Sequence, residues 1–141
     1  MWPRPKLVSI PTVAQEQGDL SFCDCESLLP FSVERVYWVR SIPSWARRGG
    51  HAHRVQSEFF VVVAGACTLR LLAPDREEVI FRVEAGGDGV FLPPGWWREI
   101  DDYLEGTCCV VLASGAYDEN DYIRESSAFF NSLASSHDSV S

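Results

Sequence analysis

Short runs of apolar and β-branched residues dominate the middle of the chain, and turn-forming residues separate them. Runs of this length are typical of β-strands rather than of helices. They predict seven strands, at residues 35–42, 50–53, 58–63, 67–72, 78–83, 89–92 and 107–113. Strands at this spacing, with Gly- and Pro-containing turns between them, indicate an all-β sandwich or small barrel.

Some predicted strands are apolar at every position, such as the run Phe59-Phe60-Val61-Val62-Val63. The interior of a barrel covers only one face of such a strand. The other face needs a second sheet, a helix or a partner subunit, because large exposed apolar patches mark interfaces. The pattern therefore favours a homodimer.

The two ends of the chain have weaker patterns. Residues 118–121 are acidic or cap-forming, and apolar residues follow at helical spacing, which predicts one α-helix at 119–133. The stretch up to Pro30 predicts only a strand or two. Residues 134–141 are small and polar, so we expect a flexible tail and discount His137 as a ligand.

Length and composition predict one domain over residues 1–141, with an ordered core at about 17–133. The chain has 141 residues, 46% of them hydrophobic, which is enough for a single core. Its net charge of −8 disfavours nucleic-acid binding. The sequence lacks a signal-peptide pattern and any run of about 18 uncharged apolar residues, which predicts a cytoplasmic protein without a membrane partner. Five cysteines without CxxC spacing argue against a disulfide framework or a structural zinc site.

The most informative residues are His51 and His53, in the segment Arg48-Gly49-Gly50-His51-Ala52-His53. Side chains alternate across a strand, so the two imidazoles project to the same side. Histidine exchanges protons near neutral pH and, when neutral, is a common metal ligand. Both acid–base catalysis and metal binding are open at this point.

Several arginines surround the histidine pair. Arg35, Arg40, Arg47 and Arg48 precede it without an intervening carboxylate, and Arg54 follows it. Planar guanidinium groups suit phosphate oxygens, which indicates a small anionic ligand. Ion pairs at strand ends are the alternative.

The spacing of His51, His53, Glu58 and Gly65 resembles the first signature of the cupin superfamily. The second signature is half present as Pro93-Pro94-Gly95, because Arg98 stands where a metal-binding cupin has its later histidine. That departure weakens a metal site formed by His51, His53 and Glu58.

A narrower resemblance covers residues 17–133. The strings Arg35-Val36-Tyr37, Arg48 to His53, Pro93 to Trp96, and Tyr117 to Arg124 resemble the sugar nucleotide 3,4-ketoisomerases. The resemblance implies a cupin jelly roll with one C-terminal helix and a homodimer that exchanges N-terminal strands. It also implies catalysis without metal or cofactor on a dTDP-4-keto-6-deoxyhexose in deoxysugar biosynthesis.

The same resemblance implies roles for individual residues. His51 would be the main proton-transfer base and His53 its partner, while Tyr37 and Arg48 would hold sugar hydroxyls, phosphate oxygens or the enediol oxygen. Further predicted substrate contacts are Arg35, Glu58, Trp97 and Arg98. Trp96, Trp97 and Tyr103 are candidates for stacking on the base, with packing as the alternative for the two tryptophans.

Two positions depart from this family. Glu58 stands where glutamine is usual, and Gln17-Gly18 replaces an Arg-Gly pair, which removes a possible phosphate contact. A carboxylate beside the imidazoles is expected to raise their pKa values or to restore a three-ligand metal site. The alternatives to the isomerase are therefore a metal-dependent cupin enzyme and a non-catalytic carbohydrate-binding cupin.

Overall fold

The computed structural model describes residues 3–131, and short strands make up most of this part of the chain. In chain order the strands are β1 (Lys6–Val8), β2 (Thr12–Val13), β3 (Leu20–Ser21), β4 (Arg35–Val39), β5 (Arg48–His53), β6 (Glu58–Ala64), β7 (Ala66–Leu72), β8 (Glu78–Glu84), β9 (Gly89–Leu92), β10 (Trp97–Asp101), β11 (Cys108–Ala113) and β12 (Tyr122–Ile123). Helix α1 (Cys25–Leu28) lies between β3 and β4, a 3₁₀ turn spans Glu119–Asp121, and residues 126–131 form helix α2.

The strands form two five-stranded antiparallel sheets and a separate hairpin within residues 3–131. The first sheet has the order β1-β9-β6-β11-β4, the second has the order β12-β5-β10-β7-β8, and β2 pairs only with β3. This arrangement confirms the predicted all-β sandwich.

Alternate residues of both sheets face inward and form the main core. Phe60, Val62 and Val111 come from the first sheet, and Leu69 and Leu71 come from the second. A smaller cluster lies on the other side of the second sheet, where Phe129 and Phe130 of α2 cover Trp97, Ala52 and Ile123. The sandwich thus covers both faces of the second sheet around the histidine strand.

The outer face of the first sheet is less well covered. Trp38 is 63% exposed, Val63 is 55% exposed and Val36 is 49% exposed. Phe59 also points outward from β6 but is buried, because it packs on Gly89, where an added Cβ would lie 2.4 Å from the phenyl ring.

Most predicted strands lie within two residues of their observed bounds. The first predicted strand is too long, because β4 ends at Val39 and Ser41 adopts a left-handed conformation with φ of 58° before Pro43. The N-terminal stretch forms three very short strands rather than one or two.

The prediction of one helix at 119–133 is wrong at its start. Residues 119–121 form a 3₁₀ turn, and Tyr122 and Ile123 pair with His53 and Ala52 of β5, so α2 begins only at residue 126. Sheet pairing overrides the helical spacing there. The predicted helix end at Leu133 and the predicted tail 134–141, with His137, lie outside the described residues.

The sequence analysis also missed β10. Its alternation is obscured because Arg98, a charged residue, is buried in the interior. Within residues 3–131, none of the helices has the length and apolar character required to cross a membrane.

Candidate active site

A cavity of about 300 Å³ lies between the two sheets and contains most of the predicted site residues. Six of them line it: Arg35, Tyr37, Arg48, His51, Glu58 and Arg98. Tyr103, Tyr122 and Arg124 also line it, together with apolar residues of both sheets. The cavity is therefore lined by both polar and apolar side chains.

Two glycines shape the strand that carries the histidines. Gly49 and Gly50 have φ values of 83° and 67°, which side-chain-bearing residues rarely adopt. A Cβ on Gly49 would lie 2.8 Å from the carbonyl oxygen of Arg98. The glycine pair thus lets β5 approach β10 at a register shift, where Arg98 lies opposite His51.

The two imidazole rings are close together, as the alternation predicted. Their centroids are 5.0 Å apart and the rings meet edge to face. His51 lines the cavity, and its Nδ1 lies 3.2 Å from the carbonyl oxygen of Gly49. Because a carbonyl can only accept, Nδ1 of neutral His51 carries the proton and Nε2 keeps its lone pair.

His53 does not line the cavity, which corrects the expectation that both histidines face the substrate. Its side chain is fully buried behind His51. Its Nδ1 lies 3.0 Å from Oδ2 of Asp121, and its Nε2 lies 3.6 Å from Oε1 of Glu58, without a hydrogen-bond partner in the described chain. His53 thus contacts the site through His51 and Tyr122.

A buried ion pair lies beside the histidines. Nη1 of Arg98 donates to Oε1 of Glu58, and the Tyr37 hydroxyl donates to Oε2 of Glu58 at 2.6 Å. Burial alone would raise the pKa of Glu58, but the charges of Arg98 and His53 and the Tyr37 hydrogen bond hold it below its ordinary value. Burial and Glu58 raise the pKa of Tyr37, so its hydroxyl stays protonated.

Burial and Arg98 outweigh the expected effect of Glu58 on the pKa values of the histidines. Burial, then the charge of Arg98, then that of His53 lower the pKa of His51 to about 4. Burial and Arg98 also lower the pKa of His53, against the opposing effects of Glu58 and Asp121. The expectation of raised pKa values is therefore wrong, because burial and the charge of Arg98 together outweigh the raising effect of Glu58. Both imidazoles are neutral at pH 7.

This low pKa predicts an unusual pH profile. His51 can accept a proton only when its imidazole is neutral. If His51 is the base of the reaction, kcat/KM should therefore persist below pH 6.5 and fall only as the pH approaches about 4. The measurement is kcat/KM from pH 4 to 8, with circular dichroism at each pH to show that the protein is folded. A kcat/KM that is already half-maximal at pH 6.5 or above, in folded protein, would contradict the assignment of His51 as a base with a lowered pKa.

Three arginines give the cavity a positive wall. Arg35 and Arg48 lack a carboxylate partner within residues 3–131, and Arg35 donates to Gln56 and lies 5.1 Å from the centre of the Tyr37 ring. Arg124 pairs with Glu119 and stacks on Tyr122. Guanidinium groups without acidic partners at a cavity are suited to an anion.

Trp97 does not join this site. It is buried in the cluster with Ala52 and Phe129, on the side of the second sheet that faces away from the cavity. Trp96 is buried in the main core, where its indole N–H donates to the carbonyl oxygen of Pro3. The predicted substrate contact by Trp97 is therefore corrected to packing, whereas Tyr103 does line the cavity.

Sequence reasoning missed the role of Asp121. It assigned this residue to a helix N-terminus, whereas the carboxylate binds His53 and the backbone N–H groups of Val55 and Gln56. Asp121 belongs to the string Tyr117 to Arg124 that carries part of the family resemblance, which could have marked it as a site residue. Only the fold shows that this segment pairs with the histidine strand.

The arrangement gives little support to a metal site. Both oxygens of Glu58 accept hydrogen bonds, and the guanidinium of Arg98 lies against one of them. Over residues 3–131, the structure contains no cluster of three His, Cys, Asp or Glu residues with metal-binding geometry. The guanidinium of Arg98 supplies the positive charge beside the histidines.

The fold and site together define a β-sandwich protein of the cupin class, with a histidine at an internal cavity and an arginine close to it. Residues 4–134 match the model of the family described as FdtA: WxcM-like, C-terminal. The chain belongs to this family.

Individual relatives agree with this placement. The TDP-4-oxo-6-deoxy-alpha-D-glucose-3,4-oxoisomerase of Aneurinibacillus thermoaerophilus is 29% identical over 131 residues, which are 92% of each chain. The 3,4-ketoisomerase QdtA of Thermoanaerobacterium thermosaccharolyticum, solved as a His-to-Asn mutant with TDP-4-keto-6-deoxyglucose, is 30% identical with a TM-score of 0.89, over 96% of this chain and 97% of that one. A 3,4-ketoisomerase of Helicobacter canadensis is 25% identical with a TM-score of 0.87, over 92% and 97% of the two chains.

Proposed function

We propose that this protein is a sugar nucleotide 3,4-ketoisomerase that converts a TDP-4-keto-6-deoxyhexose to its 3-keto isomer. The observation that carries the proposal is the neutral imidazole of His51, which lines the cavity and whose Nδ1 is held by the carbonyl oxygen of Gly49. The similarity to 3,4-ketoisomerases over nearly the whole chain supports it.

The reaction needs a base but no oxidant. Nε2 of His51 takes the proton from C3, the C–H electron pair forms a C3–C4 double bond, and the C4 carbonyl becomes an enediolate oxygen. Return of a proton to C4, with loss of the O3 proton as the C3 carbonyl forms and uptake of a proton by O4, gives the 3-keto sugar with a hydroxyl at C4. One positioned acid–base group accounts for about 10²- to 10⁴-fold in rate.

The negative enediolate needs positive charge nearby. The charge of Arg98 that lowers the pKa of His51 also favours an anion in the same cavity. Tyr37 was a candidate donor to this oxygen, but it donates to Glu58. Arg48, which has no acidic partner in the described chain, is the remaining candidate donor, and Arg35 is suited to the diphosphate.

His53 has a different role in this proposal from the one first expected. Because it is buried behind His51 and does not line the cavity, it supports the base rather than exchanging protons with the sugar.

The direct experiment is incubation with TDP-4-keto-6-deoxyglucose followed by NMR of the hexose carbons. The expected product is the 3-keto isomer. Binding of this nucleotide sugar without any conversion would instead favour the non-catalytic carbohydrate-binding alternative.

Metal removal distinguishes the isomerase from a metal-dependent cupin. Protein dialysed against a chelator should retain its full kcat, because the proposed proton transfer uses only side chains of the chain. Metal content and kcat are measured before and after dialysis. Stoichiometric metal that is lost together with activity, and lost again in His53→Ala, would contradict the proposal.

We also propose that the enzyme is a homodimer, as the apolar strands predicted. Trp38, Val36 and Val63 leave an apolar area on the outer face of the first sheet. The β2–β3 hairpin carries exposed Leu20 and Phe22 and pairs with neither sheet of its own chain. A second copy would cover both surfaces, in agreement with exchange of N-terminal strands. The cytoplasmic location remains a prediction from the sequence.

A charge on this apolar area should disrupt the dimer. Trp38→Glu is expected to sediment as a monomer at concentrations where the unmodified protein is dimeric, because burial of a carboxylate in an apolar interface is unfavourable. Trp45→Glu is the control, since Trp45 is 83% exposed on a loop outside the sheets. A monomeric unmodified protein, or an unchanged Trp38→Glu dimer, would contradict this proposal.

A further inference from the structure

The segment 118–123 is attached to the strand that carries the histidines. Tyr122 and Ile123 pair with His53 and Ala52, and the backbone N–H of Arg54 donates to the carbonyl oxygen of Asp121 at 2.9 Å. This segment thus closes the edge of the second sheet at the position of the catalytic strand.

The carboxylate of Asp121 has three partners there. Oδ1 accepts from the backbone N–H of Val55 at 2.7 Å, and Oδ2 accepts from the backbone N–H of Gln56 at 3.2 Å. Oδ2 also lies 3.0 Å from Nδ1 of His53. Because the two backbone groups can only donate, they fix the orientation of the carboxylate, and Nδ1 of His53 must carry a proton to bind it.

The other nitrogen of His53 has a competing acceptor. Nε2 lies 3.6 Å from Oε1 of Glu58 and has no hydrogen-bond partner among residues 3–131. Without Asp121, a proton on Nε2 that points to this carboxylate would be the favoured tautomer. The choice between the two tautomers of neutral His53 therefore depends on Asp121.

His53 in turn contacts the base. Its ring meets His51 edge to face at 5.0 Å, and Tyr122 packs on both rings, at 4.9 Å from His51 and 4.4 Å from His53. The orientation of His53 thus limits the positions that His51 can take in the cavity.

We propose that Asp121 is a positioning residue for proton transfer, which fixes the proton of neutral His53 on Nδ1 and thereby holds its ring stationary behind His51. The kinetic part of this inference rests on the proposed ketoisomerase function, whereas the tautomer of His53 does not.

The test variant is Asp121→Asn. The amide oxygen should stay at the shorter hydrogen bond, from Val55 at 2.7 Å, at the expense of the longer one from Gln56 at 3.2 Å, so the amide NH₂ takes the place of Oδ2 and donates to Nδ1 of His53. The proton of His53 then moves to Nε2. We expect kcat to fall between about 10-fold and 10⁴-fold, the range spanned by carboxylates that orient histidines in other enzymes. KM should not change, because Asp121 does not line the main cavity.

The tautomer is read from long-range ¹H–¹⁵N NMR spectra, in which His53→Asn identifies the signals of His53. Asp118→Asn is the matched control, because among residues 3–131 the Asp118 carboxylate accepts a hydrogen bond only from the backbone N–H of Asn120, at 3.0 Å, and has none with His53. The control should keep both the kcat and the Nδ1–H tautomer of the unmodified protein.

A switch to Nε2–H in Asp121→Asn, with lower kcat and unchanged KM, would support the proposal. The proposal is overturned if His53 carries its proton on Nε2 in the unmodified protein. An unchanged tautomer or an unchanged kcat in folded Asp121→Asn also overturns it. An unmodified protein that converts no keto sugar refutes the proposed function instead, and the tautomer measurement still stands.

Discussion

Replacement of His51 by asparagine lowers kcat for 3,4-ketoisomerisation by about 10²- to 10⁴-fold, the contribution of a positioned acid–base group. The amide of asparagine is not basic, so no group takes the C3 proton at the position of Nε2. The overall structure should be unaffected, because within residues 3–131 the His51 side chain has one hydrogen-bond partner, the carbonyl oxygen of Gly49. The measurement is kcat by NMR, with TDP affinity as the test of an intact cavity.

The matched control is His137→Asn, which removes the histidine that lies outside the described residues and should leave kcat unchanged. The account is contradicted if His51→Asn binds TDP normally and retains a tenth or more of the kcat of the unmodified protein. A tenfold change in kcat corresponds to about 1.4 kcal/mol of activation free energy.

Replacement of Arg98 by methionine is expected to lower the free energy of unfolding by about 3–5 kcal/mol, the usual cost of leaving a buried charge without its partner. Glu58 is 1% exposed, and in this variant its carboxylate would keep only the hydrogen bond from Tyr37. The measurement is urea unfolding at pH 7.

A second substitution separates the buried charge from lost packing. Arg98→Met combined with Glu58→Gln removes both charges and keeps an acceptor for Tyr37, so it should recover most of the lost stability. Arg82→Met is the control, since Arg82 pairs with Asp102 at the surface and should cost about 1 kcal/mol or less. A double variant as unstable as Arg98→Met would show that packing, not the unpaired carboxylate, explains the loss.

Seven of the strands were predictable because each is a short apolar or β-branched run between turn-forming residues. The histidine pair was predictable because residues two apart on one strand share a face, and their rings do meet. The family resemblance supplied the sandwich and the expected reaction, which the relatives support.

The electrostatics were not predictable, because they depend on a contact between residues 40 apart in the chain. From the sequence, Glu58 is a carboxylate next to two imidazoles, and its expected effect is to raise their pKa values. Only the fold shows that the imidazoles are buried and that Arg98 lies against Glu58, and together these two effects lower the pKa values instead. The same burial of a charged residue hid the strand β10.

The helix error has a similar origin. Tyr122, Ile123, Phe129 and Phe130 all contact the second sheet, but two of them do so as a strand and two as a helix. Their spacing fits one helix equally well, and local sequence carries no information about the edge of β5 that Tyr122 and Ile123 complete. The role of Asp121 depends on that edge.

The most direct test of the central claim is solvent exchange during turnover. The unmodified enzyme and TDP-4-keto-6-deoxyglucose are incubated in D₂O, and deuterium at C3 and C4 of the hexose is followed by NMR and mass spectrometry. The account predicts deuterium at C3 or C4 with the unmodified enzyme, and labelling at least about 100-fold slower with His51→Asn. Equal labelling by both proteins would show that another group moves the proton, and would contradict the assignment of His51 as the base.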